Sequence, residues 1–253
     1  MSEDLVNPPN KGARFNASQW LIPDGSQKGL STIVCARTGA GKTELIKRFL
    51  YDGYKDPAAA YHRTIFISPK QEDILGAPVV SDHRALQKAL EKNSIVSYHP
   101  IDPEYYDDDV DGVIETVFNL KDEIPTIKDD DGVEREMSYH IIIDDCQILN
   151  GFDSRRTPSS SVKKLIIAGR GKRVKSTLIV HRFGALPRIT NSNCSDLVAL
   201  NVSSIDMDIT KRLFGIDFEP IMDDLVDYRW VYVDLLQNNP TPIKYAPVTL
   251  VGQ

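Results

Sequence analysis

Residues 30–51 read Leu-Ser-Thr-Ile-Val-Cys-Ala-Arg-Thr-Gly-Ala-Gly-Lys-Thr-Glu-Leu-Ile-Lys-Arg-Phe-Leu-Tyr. The first seven are apolar and β-branched, the composition of a short buried strand. Residues 44–51 place Leu45, Ile46, Phe49 and Leu50 at helical spacing. Between them, Ala36 to Thr43 match the pattern G-x-x-x-x-G-K-[ST], with Ala36 where the first glycine is usual. Chemistry accounts for the residue types. Gly39 and Gly41 let the backbone turn its N–H groups toward phosphate oxygens. A helix starting near Lys42 adds its positive dipole end. The Lys42 ammonium then reaches the β- and γ-phosphates, and the Thr43 hydroxyl can ligate Mg²⁺. Arg37, Thr38, Gly39, Ala40, Gly41, Lys42, Thr43 and Glu44 are therefore the expected binding residues for a nucleoside triphosphate, ATP with Mg²⁺.

Outward from this loop, strands and helices alternate. Further strands are expected over 64–68, 95–98, 140–143, 177–180 and 197–202. Helices are expected over 82–92, with Asp82 as N-cap, about 110–120, 162–169 and 206–214, with Gly215 as C-cap. A turn or hairpin tip falls at 129–132. The strands are solidly apolar rather than alternating, which predicts a mostly parallel sheet covered on both faces. The chain divides into an N-terminal arm (1–28) and one domain (29–253). Within the domain lie an acidic insert at about 102–136 and a closing β-pair at about 227–248.

Tyr-His-Ile-Ile-Ile-Asp-Asp-Cys at 139–146 supplies the second signal. An apolar strand ending in two acids sets carboxylates at the sheet's carboxyl edge, where open α/β sheets bind ligands. Asp144 is expected to hold Mg²⁺, directly or through water. Asp145 is expected to polarise the attacking water. The strand that follows the loop's helix ends Ser68-Pro69 without an acid. The acid strand should therefore lie across an inserted strand, as in RecA-like (ASCE) P-loop NTPases, giving a three-layer α/β sandwich.

The net charge of −6 hides two opposite regions. Residues 102–136 hold fourteen acids and three bases, a local charge of −11 that leaves the rest at +5. Residues 155–175 hold eight bases and no acid. That run reads either as a solvated basic face or as a track for duplex phosphates; it has no interleaved aromatics for base stacking. No apolar run approaches the ~20 residues of a membrane span. The N-terminus shows no secretory h-region. The three scattered cysteines, Cys35, Cys146 and Cys194, have no metal-ligand spacing and fit a reduced intracellular setting.

The order of Asp144-Asp145, Gly169-Arg170, the strand 177–180, Leu186-Pro187 and Asn193 resembles the FtsK–HerA superfamily of DNA-pumping ATPases. Within it, the chain looks most like the genome-packaging ATPases of poxviruses and of icosahedral viruses with internal membranes. The resemblance spans roughly residues 30–202. It implies an ATP-hydrolysing motor that translocates double-stranded DNA into a preformed capsid. It also implies a homo-oligomeric ring, expected as a hexamer, with capsid or membrane proteins at a packaging vertex as further partners. The setting would be the host cytoplasm or the virion. His181 stands where the family has a sensor glutamine; it reads as a γ-phosphate sensor or as a surface histidine at a strand end. Arg170 matches the family's Gly-Arg and would reach a neighbouring subunit's γ-phosphate, in competition with Arg173, Arg182 and Arg188. Two other functions share these motifs: an ATPase powering protein assembly or secretion, and a small-molecule kinase.

Overall fold

The computed structural model describes residues 15–23, 31–128, 131–149, 152, 158–220, 229–237, 240–245 and 247. In chain order the strands are β1 (Ser31–Ala36), β2 (His62–Ile67), β3 (Val79–Val80), β4 (Ile95–Tyr98), β5 (Thr126–Lys128), β6 (Glu134–Glu136), β7 (Ser138–Ile143), β8 (Val174–Val180), β9 (Cys194–Leu200), β10 (Trp230–Asp234) and β11 (Ile243–Tyr245). The helices are α1 (Ala17–Leu21), α2 (Lys42–Gly53), α3 (His83–Lys92), α4 (Tyr106–Glu123), α5 (Ser160–Ala168), α6 (Arg188–Asn193) and α7 (Ser204–Phe214).

Nine strands form one sheet in the order β11-β10-β9-β1-β8-β7-β2-β4-β3. The strands from β9 to β3 run parallel; β10 pairs antiparallel with β9, and β11 with β10. β5 and β6 make a separate antiparallel hairpin.

Why the sheet is buried on both sides is visible in consecutive residues. Ile33, Ile65, Ile141, Leu178 and Leu197 face one core. Their next neighbours Val34, Phe66, Ile142, Ile179 and Val198 face the other. Successive side chains of a strand point to opposite faces, so a strand covered on both sides must be apolar throughout. Over one face lie α1 and α2, which bury Trp20, Leu21, Leu45, Ile46, Phe49 and Leu50. The four side chains of α2 contribute about 2 kcal/mol each by leaving water. Leu86 and Leu90 of α3, Val113 and Val117 of α4, and Leu165 of α5 cover the opposite face.

The sheet order sets β8 between β1 and β7, so the strand that carries the two acids stands across an inserted strand from the loop. This is the three-layer P-loop architecture that the motifs predict. Boundaries differ locally. The helix predicted over about 110–120 starts at Tyr106, because Asp107, Asp108 and Asp109 occupy its first turn, where the helix dipole favours acids. The strand predicted from 177 begins at Val174, just after Arg173 turns left-handed at φ 54°. The strand predicted over 197–202 is shifted to Cys194–Leu200. Asp82 caps α3, accepting from the Ala85 N–H at 2.8 Å, and Gly215 ends α7 at φ 69°. Among the described residues, no helix is long and apolar enough to cross a membrane.

Among the described residues of the basic run, three bases pair with acids. Lys164 pairs with Glu115 at 3.0 Å and Arg173 with Glu136 at 3.1 Å, while Lys172 pairs with Asp122. Lys175 is buried and donates to the Gln19 carbonyl at 3.2 Å. Much of the described positive charge is thus set against the acidic insert.

Candidate active site

The loop between β1 and α2 takes the shape its glycines allow. Gly39 has φ 76° and Gly41 φ 89°, values that a residue with a Cβ reaches only at a cost. Gly41 is the N-cap of α2, and no side chain caps the helix there, so its first N–H groups remain for a ligand. Lys42 is nearly buried. Its Nζ donates to the carbonyls of Ala36 at 2.9 Å and Arg37 at 3.3 Å, and lies 3.0 Å from His181 Nδ1. Burial pushes this ammonium below its ordinary range, against the attraction of Asp144 and Asp145.

Asp144 and Asp145 leave the carboxyl end of β7. Asp144 is 2% exposed, and burial together with Asp145 and Glu72 pushes its carboxyl up to about 6. It accepts from the Asp145 N–H at 2.9 Å and from Ser68 Oγ at 3.5 Å, and the Tyr106 hydroxyl holds its main-chain carbonyl at 2.6 Å. Asp145 adopts the left-handed region, φ 48° and ψ 41°. That turn sends its carboxylate toward the neighbouring strand ends. Oδ1 lies 2.7 Å from His181 Nε2 and accepts from Gln147 Nε2 at 3.1 Å; Oδ2 lies 2.6 Å from Lys70 Nζ. Burial raises the Asp145 carboxyl, but Lys70 and His181 outweigh it and hold the group below its ordinary value.

His181 leaves the end of β8 between the two. The tautomer with its proton on Nε2 donates to Asp145 and accepts from Lys42 at Nδ1, so one imidazole links the loop lysine to the acid. Thr38 Oγ1 stands 3.4 Å from the same Nδ1. Gln147 Oε1 accepts from the His181 N–H at 3.1 Å, which fixes the strand end.

Thr38, Gly39, Gly41, Lys42, Thr43 and Glu44 line one open cleft of about 660 Å³ together with Lys70, Glu72, Asp144 and His181. Glu44 points its carboxylate at Lys47, 2.9 Å away. Arg37 and Thr38 stand exposed at the rim, and Ala40 is buried beneath it. A second cavity of about 800 Å³ adjoins on the α7 side, with Arg37, Thr38, His181 and Arg182 in its wall. Thr43 and Asp144 offer a hydroxyl and a carboxylate to the same cleft, oxygen donors that suit a hard divalent cation. A buried acid pushed up to about 6 is short of positive charge, and Mg²⁺ would supply it.

Arg170 does not join these groups within one chain. It sits exposed in the 3₁₀ turn Gly169–Lys172 that enters β8 at its amino end, whereas His181 follows the carboxyl end. Seven strand residues separate the two edges by about 23 Å. No motif announces Lys70, Gln147, Ser68 or Tyr106. Lys70 obeys the same edge argument as the acids, since it follows β2, the direct neighbour of β7.

The fold and cleft define a P-loop nucleotide-binding chain of the kind with a strand inserted between loop and acids. Among solved structures, it is similar to the genome packaging NTPase B204 from Sulfolobus turreted icosahedral virus 2 in complex with ATP-gammaS. That likeness has TM-score 0.67 and 13% identity, covering 88% of this chain and 100% of that one. It is also similar to VirB4 of Thermoanaerobacter pseudethanolicus, with TM-score 0.61 and 12% identity over 90% of this chain and 93% of that one. A third likeness is the cytoplasmic domain of the Thermomonospora curvata Type VII secretion ATPase EccC, with TM-score 0.61 and 13% identity over 89% of this chain and 26% of that one. No protein-family model and no curated protein sequence matches the chain. At these identities the likeness is one of fold.

Proposed function

We propose that this chain is an ATP-hydrolysing motor that translocates double-stranded DNA and packages a viral genome into a preformed capsid. The observation that carries it is the linked row at the sheet's carboxyl edge. His181 after β8 stands 3.0 Å from Lys42 after β1 and 2.7 Å from Asp145 after β7, and the three strands are neighbours in the sheet. A phosphate loop alone would serve a kinase as well. An acid held near the loop lysine through a histidine suits water activation next to a terminal phosphate. The likeness to B204 over nearly the whole of both chains supports the packaging reading.

In this mechanism the loop N–H groups and Lys42 hold the β- and γ-phosphates. Thr43 and Asp144 would hold Mg²⁺, which would offset the charge of the phosphates. Asp145 orients the attacking water and takes its proton. His181 donates to Asp145 and keeps that carboxylate aimed. Arg170, at the far edge of the sheet, would complete the site of the next subunit in a ring, expected as a hexamer. Capsid or membrane proteins would receive such a ring at the packaging vertex, in the host cytoplasm or the virion.

An ATPase that powers protein assembly or secretion is the second reading. VirB4 and EccC favour it through their likeness in fold at TM-score 0.61, as does the pairing of part of the basic run with the acidic insert. The test is the steady-state ATPase rate with and without linear duplex DNA, at low and moderate salt. The expected result is stimulation by duplex DNA of about tenfold or more that salt abolishes and that is absent in Asp145→Asn. Robust turnover indifferent to DNA would transfer the chain to the assembly and secretion class.

A further inference from the structure

Asp145 is the expected activator of water, yet both of its carboxylate oxygens are engaged. Oδ1 meets His181 and Gln147, and Oδ2 meets the Lys70 ammonium at 2.6 Å. The two sides of this arrangement differ in freedom. Asp145 is 7% exposed at its side chain and locked by its left-handed backbone, while His181 is itself fixed through Gln147. Lys70 is 46% exposed at the end of a flexible stem. Only its root is anchored, where the Lys70 N–H donates to Ser68 Oγ at 3.3 Å just past Pro69. If one partner leaves the Asp145–Lys70 pair, it is the lysine.

Lys70 also faces the phosphate cleft, whose wall it shares with Lys42 and Thr43. Lys42 sits close enough to feel its charge as a repulsion, so two ammonium groups bracket the space beyond the loop. Glu72 lines the same wall and keeps Lys70 in a partly compensated field when Asp145 is released. A terminal phosphate carries more negative charge than one carboxylate and offers three oxygens, so it competes well for a half-exposed lysine.

We propose that Lys70 is the residue that senses the terminal phosphate: paired with Asp145 it covers Oδ2, and with a nucleoside triphosphate bound it moves to the γ-phosphate and uncovers that oxygen for the attacking water. The proposal rests on the ATPase reading of the cleft. It makes the resting site self-blocked, and it ties the freeing of the water-orienting oxygen to the one phosphate that distinguishes substrate from product. A diphosphate leaves Lys70 on Asp145.

The test is equilibrium titration of Mg-ATPγS and Mg-ADP into wild type, Lys70→Ala and Lys70→Arg, with steady-state kcat and KM beside it. Lys70→Ala is expected to weaken ATPγS by about tenfold and ADP by less than about twofold, and to lower kcat. Lys70→Arg should keep the wild-type preference for the triphosphate. Equal weakening of both nucleotides by Lys70→Ala would reduce Lys70 to a support of the loop and overturn the proposal, as would no change in either. A wild-type protein that binds neither nucleotide sinks the ATPase reading and this proposal with it. Binding of both by wild type, unchanged in Lys70→Ala, sinks the role of Lys70 alone.

Discussion

At the scale of single residues, His181 carries the link between phosphate loop and acid. A glutamine there could also donate to Asp145 through Nε2, though it has one amide oxygen rather than a second ring nitrogen to accept from Lys42. His181→Gln is therefore expected to keep turnover within about tenfold of wild type, and His181→Ala to lose about a hundredfold in kcat with KM little changed. Steady-state kinetics of the two variants decide it; an alanine variant with wild-type kcat would make His181 a bystander. Lys42→Ala should remove detectable hydrolysis while far-UV circular dichroism stays unchanged. The placement of the loop residues and the two acids at the sheet's carboxyl edge is legible in sequence because each belongs to a local word on a strand end. Lys70 and Gln147 are not, since their roles come from neighbours that only strand pairing brings close, β2 beside β7 for the one and β7 beside β8 for the other.

At the scale of elements, the sheet carries a polar seam beneath α1. His62 of β2 contacts Ser138 Oγ at 2.9 Å, and His140 of β7 contacts Thr177 Oγ1 at 2.8 Å. Trp20 of α1 packs on the His140 ring with centroids 4.7 Å apart. Burial, with Lys175 adding repulsion, lowers His62 to about 3 and His140 well below its ordinary value. Above the unfolded value near 6.5 neither group affects stability. Below it the unfolded chain takes up protons that the native chain refuses, so stability falls with pH down toward about 3. The two together should cost about 3 kcal/mol per pH unit below 6. Denaturant midpoints at pH 7.5 and 5.5 would show it. His140→Gln, whose Nε2 can reach the same hydroxyl, should about halve the slope. An unaltered slope would mean that other groups govern the acid limb. This seam is hard to read in advance, since a histidine within an apolar strand looks the same whether its ring meets a hydroxyl or water. The alternation of apolar strand and helix is easier, because covering both faces of a sheet forces it into the composition of every central strand. Edges of elements are less legible: the start of α4 depends on how three successive acids meet a helix dipole.

At the scale of the whole molecule, phosphate loop and Arg170 lie at opposite edges of one sheet, so a ring would let one chain complete another's site. If so, Lys42→Ala and Arg170→Ala proteins are each inactive alone but recover about a tenth or more of wild-type activity when mixed under conditions that exchange subunits. Mixtures as inactive as their parts would remove Arg170 from catalysis in trans. Charge behaves differently at this scale than along the chain. Part of a run of bases that looks ready for phosphates is folded against the acids of α4 and the β5–β6 hairpin, through Lys164–Glu115 and Arg173–Glu136. Counting residues in sequence cannot anticipate this, because the partners are separated by dozens of positions.

The left-handed backbone at Asp145 has a further consequence. Aspartate, asparagine and glycine tolerate that conformation, whereas a longer or branched side chain meets a cost of about 1 kcal/mol or more. Position 145 therefore meets two unrelated demands, the carboxylate of the proposed mechanism and the left-handed backbone. A saturation library at this codon should sort along two axes that do not coincide: asparagine and glycine would rank high in thermal resistance and low in turnover, and glutamate the reverse. Aspartate is the residue expected to stand high on both axes.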